Sequence, residues 1–226
     1  EEGKYFLVIN AGNIDKDWAH LTKQAEKFDV KLTNVSDKYA AIAVQGPESK
    51  EMLMKLAGGK QLTPENVKNA LNTLTMEGKP VRIAKTGYTG EPIGYELYCN
   101  SEDARYFWDR LIELGAKPTA LGARDTTRME AALPLYGHEM GECEMGGEIQ
   151  IYAVPLAKFA VSFDEAKGDF IGREPLKKQF EALKKIMNRD YSSIEDLPYR
   201  IQPIYLEGKG VLRKGFPIYC KDAWAE

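Results

Sequence analysis

The chain has 226 residues and a mass of 25.4 kDa, which is enough to bury a sizeable core as one large domain or two small ones. Its 31 basic and 34 acidic residues give a formal net charge of −3, and neither sign is gathered into a long block, so the composition does not favour a nucleic-acid or membrane partner. No stretch approaches the ~18 apolar residues of a membrane span and no signal peptide opens the chain, so we expect a cytoplasmic protein, or a mitochondrial matrix protein if the source is eukaryotic.

The first third of the chain is predicted to contain strands and amphipathic helices in the order β-α-β-β-α, followed by a polar helix. Short β-branched or alternating runs indicate the strands, and apolar residues at helical spacing indicate the helices. The predicted elements are a strand over 5–9, a helix over 15–28, strands over 30–35 and 40–44, a helix over 47–57 and a helix over 63–74.

The middle third is predicted to be a second unit of strands with a covering helix. A strand over 80–86 is followed by the turn-rich sequence GYTGEPIG and by a returning strand over 95–99. Ser101 is predicted to cap a helix whose apolar face carries Phe107 and Leu111. Two successive units that mix antiparallel strands with a covering helix indicate an α+β, ferredoxin-like fold.

The last part is predicted to hold a helix over 174–189, a surface loop over 191–198 and a hairpin of strands over 201–206 and 211–219. We expect a first domain over 1–200, divisible into subdomains 1–75 and 76–200, and the beginning of a C-terminal β domain over 201–226. The chain has no initiator Met and enters the β-rich sequence KYFLVIN at once, and its last residues closely follow the strand-like FPIY. Both ends are predicted to be truncated.

The segment KTGYTGEPIGYE, residues 85–96, is the densest cluster of unusual residues. Its three glycines allow the backbone to approach another group closely. Its two tyrosines and two glutamates could supply stacking faces and carboxylate acceptors for a planar heteroaromatic ligand. A long β-hairpin loop without a ligand explains the same residues, so the segment alone leaves both interpretations open.

A second cluster, LGARDTTRME at residues 121–130, places two arginines four positions apart. If the segment is helical, Arg124 and Arg128 share one face, and two guanidinium groups suit the acidic tail of a small ligand. Asp125 can instead pair with Arg128 in an ordinary ion-pair lattice. The spacing alone does not decide between a ligand site and an ion-pair lattice.

Other kinds of site find little support in the sequence. There is no phosphate-cradling glycine motif, so nucleotide binding is not indicated. Cys99, Cys143 and Cys220 are odd in number and lack C-x-x-C spacing, which argues against a disulfide framework or a zinc site. His138, in LYGHEM, could act as a general acid or base, although a surface or structural role is the simpler interpretation.

A set of motifs, taken together, resembles the T-protein (aminomethyltransferase) family of the glycine cleavage system in sequence and in order. The motifs are AIAVQGP (41–47), KTGYTGE and GYE (85–96), GARDTTRME (122–130), LYGHEM (135–140), DFIGRE (169–174) and GVLR (210–213). The resemblance covers nearly the whole chain. It favours folate binding over the alternative interpretation of both clusters.

The resemblance implies a tetrahydrofolate-dependent activity. Members of the family take an aminomethyl group from the dihydrolipoyl arm of the H-protein, release ammonia and pass the one-carbon unit to tetrahydrofolate, and this transfer needs no metal. The expected partner is therefore the lipoyl-bearing H-protein of the glycine cleavage system.

Four residues match positions that the family uses around the folate. The resemblance implies that Glu96, in GYE, pairs with the pterin, and that Arg124, in GARD, holds the glutamyl side of the folate. Tyr88, in GYTG, resembles an aromatic residue that lines the cavity, and Asn10, in VINA, lies in a segment that borders the reaction site. The aspartate that the family uses in the transfer lies upstream of the position of Lys4, so the catalytic residue is expected outside this sequence.

The sequence departs from the family at one informative place. The turn GEPIGYE is one residue longer than the GExGYE of the family, which affects Glu91 but is expected to leave Glu96 on its strand. Two alternatives remain: the folate-binding domain of a related demethylase or of a sarcosine or dimethylglycine oxidase, and a non-catalytic folate-binding protein. The oxidases carry a flavin domain on the same chain, and tRNA-modification-linked relatives carry a KGCYxGQE motif whose cysteine has no counterpart here.

Overall fold

The structure, a computed structural model, describes residues 3–65, 67, 69–143, 147–154, 156–211 and 216–217. The chain divides into two compact units, Glu1–Tyr136 and Gly137–Glu226. Within the described residues, the elements of the first unit are the helices α1 (Ile14–Ala25), α2 (Ser49–Leu56), α3 (Ala104–Glu113) and α4 (Leu121–Glu130) and the strands β1 (Tyr39–Gln45), β2 (Leu71–Met76), β3 (Lys79–Ala84) and β4 (Gly94–Asn100).

The strands of the first unit form one antiparallel sheet in the order β1-β4-β3-β2. β2 and β3 form a hairpin in which Met76 pairs with Lys79, and the intervening Glu77 and Gly78 have positive φ angles of 48° and 83°. These angles are typical of the type I′ turn, whose twist matches that of the two strands. β4 is central, because it pairs with β1 on one side and with β3 on the other.

The core of the first unit lies on one face of this sheet. Successive residues of a strand point to opposite faces, and the alternate positions Tyr95, Leu97 and Cys99 of β4 are buried. They belong to one apolar cluster with Leu53 of α2 and Phe107 of α3, which are both fully buried. Burial of this apolar surface is the main stabilising term for the unit, and it directs the intervening residues of β4 to the opposite face.

The opposite face of the sheet is covered in part by the segment that precedes α1. Phe6 packs edge-on against Tyr39 of β1 and Tyr98 of β4, with ring centroids 5.6 and 5.5 Å apart. The guanidinium of Arg82 on β3 lies over the rings of Phe6 and Tyr39, at 5.3 and 5.1 Å from their centroids. These contacts hold the segment against the sheet, although it pairs with no described strand.

The second unit has a core of its own. Within its described residues, the elements are the helices α5 (Ala157–Ala160) and α6 (Arg173–Met187) and the short strands β5 (Gly141–Glu142) and β6 (Glu148–Ile149). Tyr152, Leu183 and Leu197 are buried in one cluster, and the rings of Phe163 and Phe180 pack against it with centroids 5.4 Å apart. In the parts of both units that the structure describes, no helix is long and apolar enough to cross a membrane.

The predicted α+β class is confirmed, with an antiparallel sheet and covering helices. The strands predicted over 40–44, 80–86 and 95–99 correspond to β1, β3 and β4, and the helices predicted over 15–28 and 174–189 correspond to α1 and α6. The apolar face predicted for α3 is also present, since Phe107 and Leu111 are both buried.

Several predicted elements are wrong. Residues 5–9 and 30–35 form no strand, because no described strand lies beside them to complete a hydrogen-bonded ladder. The described part of 63–74 contains no helix, and Leu71–Met76 is β2, whose threonines favour a strand and whose turn folds it against β3. Ser101 does not cap α3, because its hydroxyl donates instead to Asp37 O at 2.7 Å.

The C-terminal hairpin is the remaining prediction. Residues 201–206 form no strand, because no described residues pair with them. Of the second predicted strand, 211–219, only 211, 216 and 217 are described, so that part of the prediction lies outside the described residues. A β domain that begins near residue 201 therefore stays a prediction.

Candidate functional site

Glu96 lies on the central strand β4, on the sheet face away from the core, as expected from the sequence. Its partners across the ladder are Ala43 of β1 and Ala84 of β3. Because directly opposite residues share a face, the half-buried Glu96 side chain stands between two methyl groups. We call Ala43, Glu96 and Ala84 the β4 platform. It is a flat, small-residue surface with one carboxylate, which a planar ring could approach.

The next residue on this face of β4 binds the carboxylate of Glu96. The Tyr98 hydroxyl donates to Glu96 Oε2 at 2.7 Å, and Tyr98 itself is only 6% exposed. Burial, and then the hydrogen bond to Glu96, raise the pKa of Tyr98 well above its usual value. The hydroxyl therefore keeps its proton and remains a donor throughout the neutral pH range.

Gln45, the last residue of β1, fastens the GYTGEPIG loop (87–94) to the sheet. Its side-chain amide donates to Thr86 O at 3.2 Å and to Tyr95 O at 3.1 Å. Its Oε1 accepts a hydrogen bond from the Thr89 hydroxyl at 3.3 Å. One amide side chain thus binds the loop itself and the backbone on both sides of it, which sets the position at which the chain enters β4.

Two positions of the loop must be glycine, because their backbone lies against the side-chain amide of Gln45. A β-carbon at Gly87 would lie 1.8 Å from Gln45 Oε1, and a β-carbon at Gly94 would lie 2.2 Å from the same atom. Both distances are far below van der Waals contact. The glycines that suggested close approach to a ligand therefore approach a side chain of the protein itself.

The GYTGEPIG loop also packs against the chain that follows α4. The Tyr88 hydroxyl donates to Pro134 O. At Gly90, a β-carbon would lie 2.4 Å from the Cβ of Ala131, the residue that ends α4. The loop that carries Tyr88 and the C-terminal end of α4 are therefore in direct contact.

The two arginines of α4 have different environments. Arg128 is 2% exposed, and its guanidinium donates to Asp125 Oδ1 at 2.6 Å and to Leu133 O at 3.1 Å. The ion-pair interpretation is therefore confirmed for Arg128. Arg124 is exposed, so it is the arginine that a ligand can reach. It precedes Ala131 by two helical turns, which places it about 10 Å along the helix axis from the contact with the loop.

Asn10 is exposed and lies immediately before a short 3₁₀ turn (Ala11–Asn13) that leads into α1. The Lys16 ammonium of α1 donates to the Tyr136 hydroxyl at 3.0 Å. This bond ties the beginning of α1 to the segment after α4, which also receives the hydrogen bond from Tyr88. The segment of Asn10 is thereby connected to the other candidate segments.

The structure connects the segments of the predicted site residues rather than the side chains themselves. Among the described residues, no hydrogen bond or ion pair joins Glu96, Arg124 and Asn10 to one another. Their segments are linked through Tyr88, Gln45 and the chain after α4. The connection between the candidate residues is therefore indirect, through the GYTGEPIG loop and the segment after α4.

His138 and a cavity in the second unit are two further candidates, and neither includes a predicted folate residue. His138, the alternative acid or base, is exposed. A cavity of about 470 Å³ in the second unit lies beside α6, where the Lys178 ammonium pairs with Asp196 at 2.6 Å. In the described residues, no group of three or more His, Cys, Asp or Glu side chains could hold a metal ion.

Two residues that contact the candidate site, Gln45 and Tyr98, are not among the residues predicted from the sequence. Gln45 is the polar residue that ends the apolar run AIAV, and a half-buried polar group at that place needs partners. Tyr98 lies two positions after Glu96, and the period of a strand places both on one face. Both signals were present, but neither specifies the partner atoms.

Comparisons with known proteins identify the family of this chain. The GCVT N-terminal domain family matches residues 1–153. An aminomethyltransferase of Deinococcus deserti is 46% identical over 145 residues, covering 62% of this chain and 39% of that relative. An aminomethyltransferase of Staphylococcus saprophyticus is 35% identical over 224 residues, covering 98% of this chain and 55% of that relative. The crystal structure of glycine cleavage system aminomethyltransferase T from Bartonella henselae is similar with a TM-score of 0.57 and 25% identity, over 78% of this chain and 44% of that chain.

The matched region includes every predicted folate residue. Asn10, Tyr88, Glu96 and Arg124 all lie within residues 1–153. The chain spans about half the length of the curated relatives it matches, from 39% to 55%. The family match itself covers more than half of this chain, and the chain therefore belongs to the GCVT N-terminal domain family.

Proposed function

We propose that this chain forms the folate-binding part of an aminomethyltransferase of glycine cleavage. In the proposed reaction, the one-carbon unit on the dihydrolipoyl arm of the H-protein passes to tetrahydrofolate, and ammonia is released. The names of the relatives and of the similar structure support the activity. The observation that carries the folate assignment is the half-buried carboxylate of Glu96 in a flat, small-residue part of the sheet.

The chemistry of the β4 platform supports the assignment of the pterin ring of tetrahydrofolate to it. A ring N–H and the exocyclic amine form a pair of donors that one carboxylate can accept in a bidentate manner. Ala43 and Ala84 place only methyl groups beside Glu96, so a flat ring can lie against the sheet without displacing a larger side chain. We assign Glu96 to the pterin end of the folate.

Arg124 is assigned to the opposite end, where the folate carries glutamyl carboxylates. The planar guanidinium matches a carboxylate in fork geometry and stays charged at every working pH. Its exposure on α4 supports this role, whereas Arg128 on the same helix is buried and paired. The separation of Glu96 and Arg124 on different elements suits a long ligand with chemically distinct ends.

Tyr88 and Asn10 are assigned to the wall of the site. The Tyr88 hydroxyl donates to Pro134 O, and this bond holds the half-buried ring at the GYTGEPIG loop. Asn10 is exposed at the beginning of the turn before α1. None of these residues is assigned to proton transfer. Their contribution is to hold the acceptor in one orientation, from which the one-carbon unit can be received.

Substitution of Glu96 tests the pterin assignment. Tetrahydrofolate titrated anaerobically into the chain should bind, and Glu96→Gln should raise the Kd about 10- to 100-fold, because an amide N–H then opposes one of the pterin donors. Calorimetry measures the Kd. Glu102→Gln, at an exposed glutamate just after β4, is the matched control and should leave the Kd unchanged. Equal Kd values for Glu96→Gln and the parent protein would exclude the assignment.

The reaction is tested separately from binding. Mixed with aminomethylated H-protein, a protein that carries this chain together with the expected upstream catalytic aspartate should release ammonia faster when tetrahydrofolate is added, and Glu96→Gln should reduce that increase. An ammonia assay measures the initial rate with and without tetrahydrofolate. If the protein binds tetrahydrofolate but its initial rate of ammonia release does not change when tetrahydrofolate is added, the proposed activity is wrong. The proposed binding site would then still stand.

A further inference from the structure

We propose that Tyr98 is a positioning residue of the folate site, whose hydroxyl holds the Glu96 carboxylate in the orientation that receives the pterin. The proposal rests on the proposed function of Glu96 and extends it to a residue that does not itself contact the folate. It starts from the hydrogen bond of 2.7 Å between the Tyr98 hydroxyl and Glu96 Oε2. Without such a bond, a glutamate on a sheet face is free to rotate about its last side-chain bond.

The surroundings of Tyr98 make it a rigid donor. Its side chain is 6% exposed, and Phe6 packs edge-on against its ring with centroids 5.5 Å apart. Across the ladder, Tyr98 stands opposite Ala41 of β1 and Arg82 of β3. A ring enclosed in this way cannot swing its hydroxyl away from Glu96 without displacing Phe6. The hydroxyl is therefore fixed by packing before any ligand arrives.

The hydrogen bond leaves room for a bidentate ligand. A carboxylate offers about four acceptor positions, two on each oxygen. Tyr98 occupies one position on Oε2, so Oε1 and the other position on Oε2 remain for the paired donors of a pterin. The tyrosine thus fixes the plane of the carboxylate without competing for the ligand.

The protonation state of Tyr98 is suited to this role. Burial, followed by the hydrogen bond to Glu96, raises the pKa of Tyr98, so its hydroxyl keeps its proton and remains a donor at neutral pH. Because a phenylalanine keeps the ring and the packing with Phe6 but has no hydroxyl, Tyr98→Phe removes the donor alone.

The test is a double-mutant cycle on the Kd for tetrahydrofolate. We expect Tyr98→Phe to raise the Kd about tenfold, since the lost bond involves a charged acceptor. In the Glu96→Ala background, Tyr98→Phe should cause no further increase, because there is no carboxylate left to orient. A tetrahydropterin without the glutamyl tail should show the same tenfold factor, since Tyr98 acts at the pterin end.

The chain offers a matched control at a second tyrosine–glutamate pair. The Tyr106 hydroxyl donates to Glu77 Oε2 at 2.8 Å, and neither residue belongs to the candidate site. Tyr106→Phe should leave the Kd unchanged. If Tyr98→Phe does not fold, Phe6→Ala keeps the hydroxyl and loosens the ring, and it should raise the Kd by a smaller factor only when Glu96 is present.

The outcomes separate the two proposals. If Glu96→Ala weakens binding but Tyr98→Phe leaves the Kd within about twofold, or weakens it equally in the Glu96→Ala background, the positioning role is overturned and the folate site stands. If Phe6→Ala is the variant measured, an unchanged Kd overturns the positioning role. If Glu96→Ala itself leaves the Kd unchanged, the folate assignment and the role of Tyr98 fall together.

Discussion

Arg128 is buried although it carries a full charge, and its guanidinium is bound to Asp125 and to the carbonyl of Leu133. Arg128→Met keeps most of the side-chain volume but leaves the Leu133 carbonyl without this donor and Asp125 without its partner. We expect the free energy of unfolding to fall by about 2–4 kcal/mol, at the lower side of the range for buried pairs because Asp125 is 38% exposed. Urea unfolding measures the change.

Arg124→Ala, on the same helix, should weaken the binding of tetrahydrofolate and leave the stability of the protein nearly unchanged. Arg124 is exposed, so its removal should change the free energy of unfolding by less than about 0.5 kcal/mol. The Kd for tetrahydrofolate should rise about tenfold or more, because a charge-assisted bond to the glutamyl tail is lost. A tetrahydropterin without that tail is the control and should bind equally to both proteins. Weaker binding of the tailless compound would contradict the assignment of Arg124 to the tail.

At the scale of single residues, the sequence could predict a pair but not its burial. The spacing of Asp125 and Arg128 is a local property of a helix, and it was sufficient to suggest their ion pair. The burial of Arg128 depends on the carbonyl of Leu133, beyond the end of α4. Gln45 was harder still, because its carbonyl partners lie 41 and 50 positions away along the chain.

The GYTGEPIG loop is an element whose position depends on one side chain of β1. Gly94→Ala should destabilise the protein by about 1–3 kcal/mol, because the added methyl group overlaps the Gln45 amide. In the Gln45→Ala background the same substitution should cost much less, since the overlapping atoms are gone. The loss of unfolding free energy in the double variant should therefore be smaller than the sum of the losses in the two single variants by about 1 kcal/mol or more. Urea titrations of the four proteins measure this difference.

Gly122 provides the control for this cycle. A β-carbon there meets open space, and its backbone conformation needs no glycine. Gly122→Ala lies in α4, so it should leave stability unchanged or raise it by up to about 1 kcal/mol. Its effect should add to that of Gln45→Ala. Coupling at Gly122 as large as at Gly94 would mean that the cycle reports something other than the overlap with Gln45.

Among the elements, those with a strong local pattern were predicted and those that depend on a distant partner were not. The alternate β4 residues Tyr95, Leu97 and Cys99 are buried in the core, in agreement with the strand predicted over 95–99, and α6 has a long amphipathic run. The sequence predicts a helix over 63–74, which extends into β2, because threonines and leucines fit either period over six residues. The type I′ turn at Glu77 and Gly78 instead folds Leu71–Met76 against β3 as a strand.

The molecule as a whole should lose stability in alkaline solution. Burial is the first cause that raises the pKa of Tyr95, Tyr98 and Cys99 in the first unit and of Tyr152 in the second. These groups keep their protons in the folded protein after the unfolded chain has released them. Stability is therefore complete below the unfolded pKa values and falls as the pH rises towards the folded ones, by up to about 1.4 kcal/mol per pH unit for each group.

The onset of this loss identifies the groups involved. An unfolded cysteine releases its proton near pH ~8.5 and an unfolded tyrosine near pH ~10. The urea midpoint of the first unit, followed by tryptophan fluorescence, should therefore be constant near pH 7.5 and fall above about pH 8.5. In Cys99→Ala the fall should begin closer to pH ~10. A urea midpoint that rises between about pH 8.5 and about pH 10 would contradict the burial of the tyrosines and of Cys99.

The class of the whole fold could be predicted, but its strand order could not. Alternating strands and covering helices indicate an α+β protein from composition and period alone. The order β1-β4-β3-β2 places β4 between strands that are distant from each other in sequence, and nothing local specifies that choice. The pairing of Glu96 with Ala43 and Ala84, which makes the β4 platform, follows from this order.

One set of alternate residues of β4 packs in the core, and the other set lies on the face of the β4 platform. An inserted residue therefore has a very different effect in the loop before β4 than inside the strand. An extra residue in the GYTGEPIG loop should leave Glu96 between its two alanines, because the ladder pairing of β4 does not depend on the length of the loop before it. An insertion inside β4 would turn the carboxylate towards Leu53 and Phe107 and bring Leu97 out in its place. Loop grafts and circular permutants of this protein should therefore be cut before Gly94 and never within the strand that follows it.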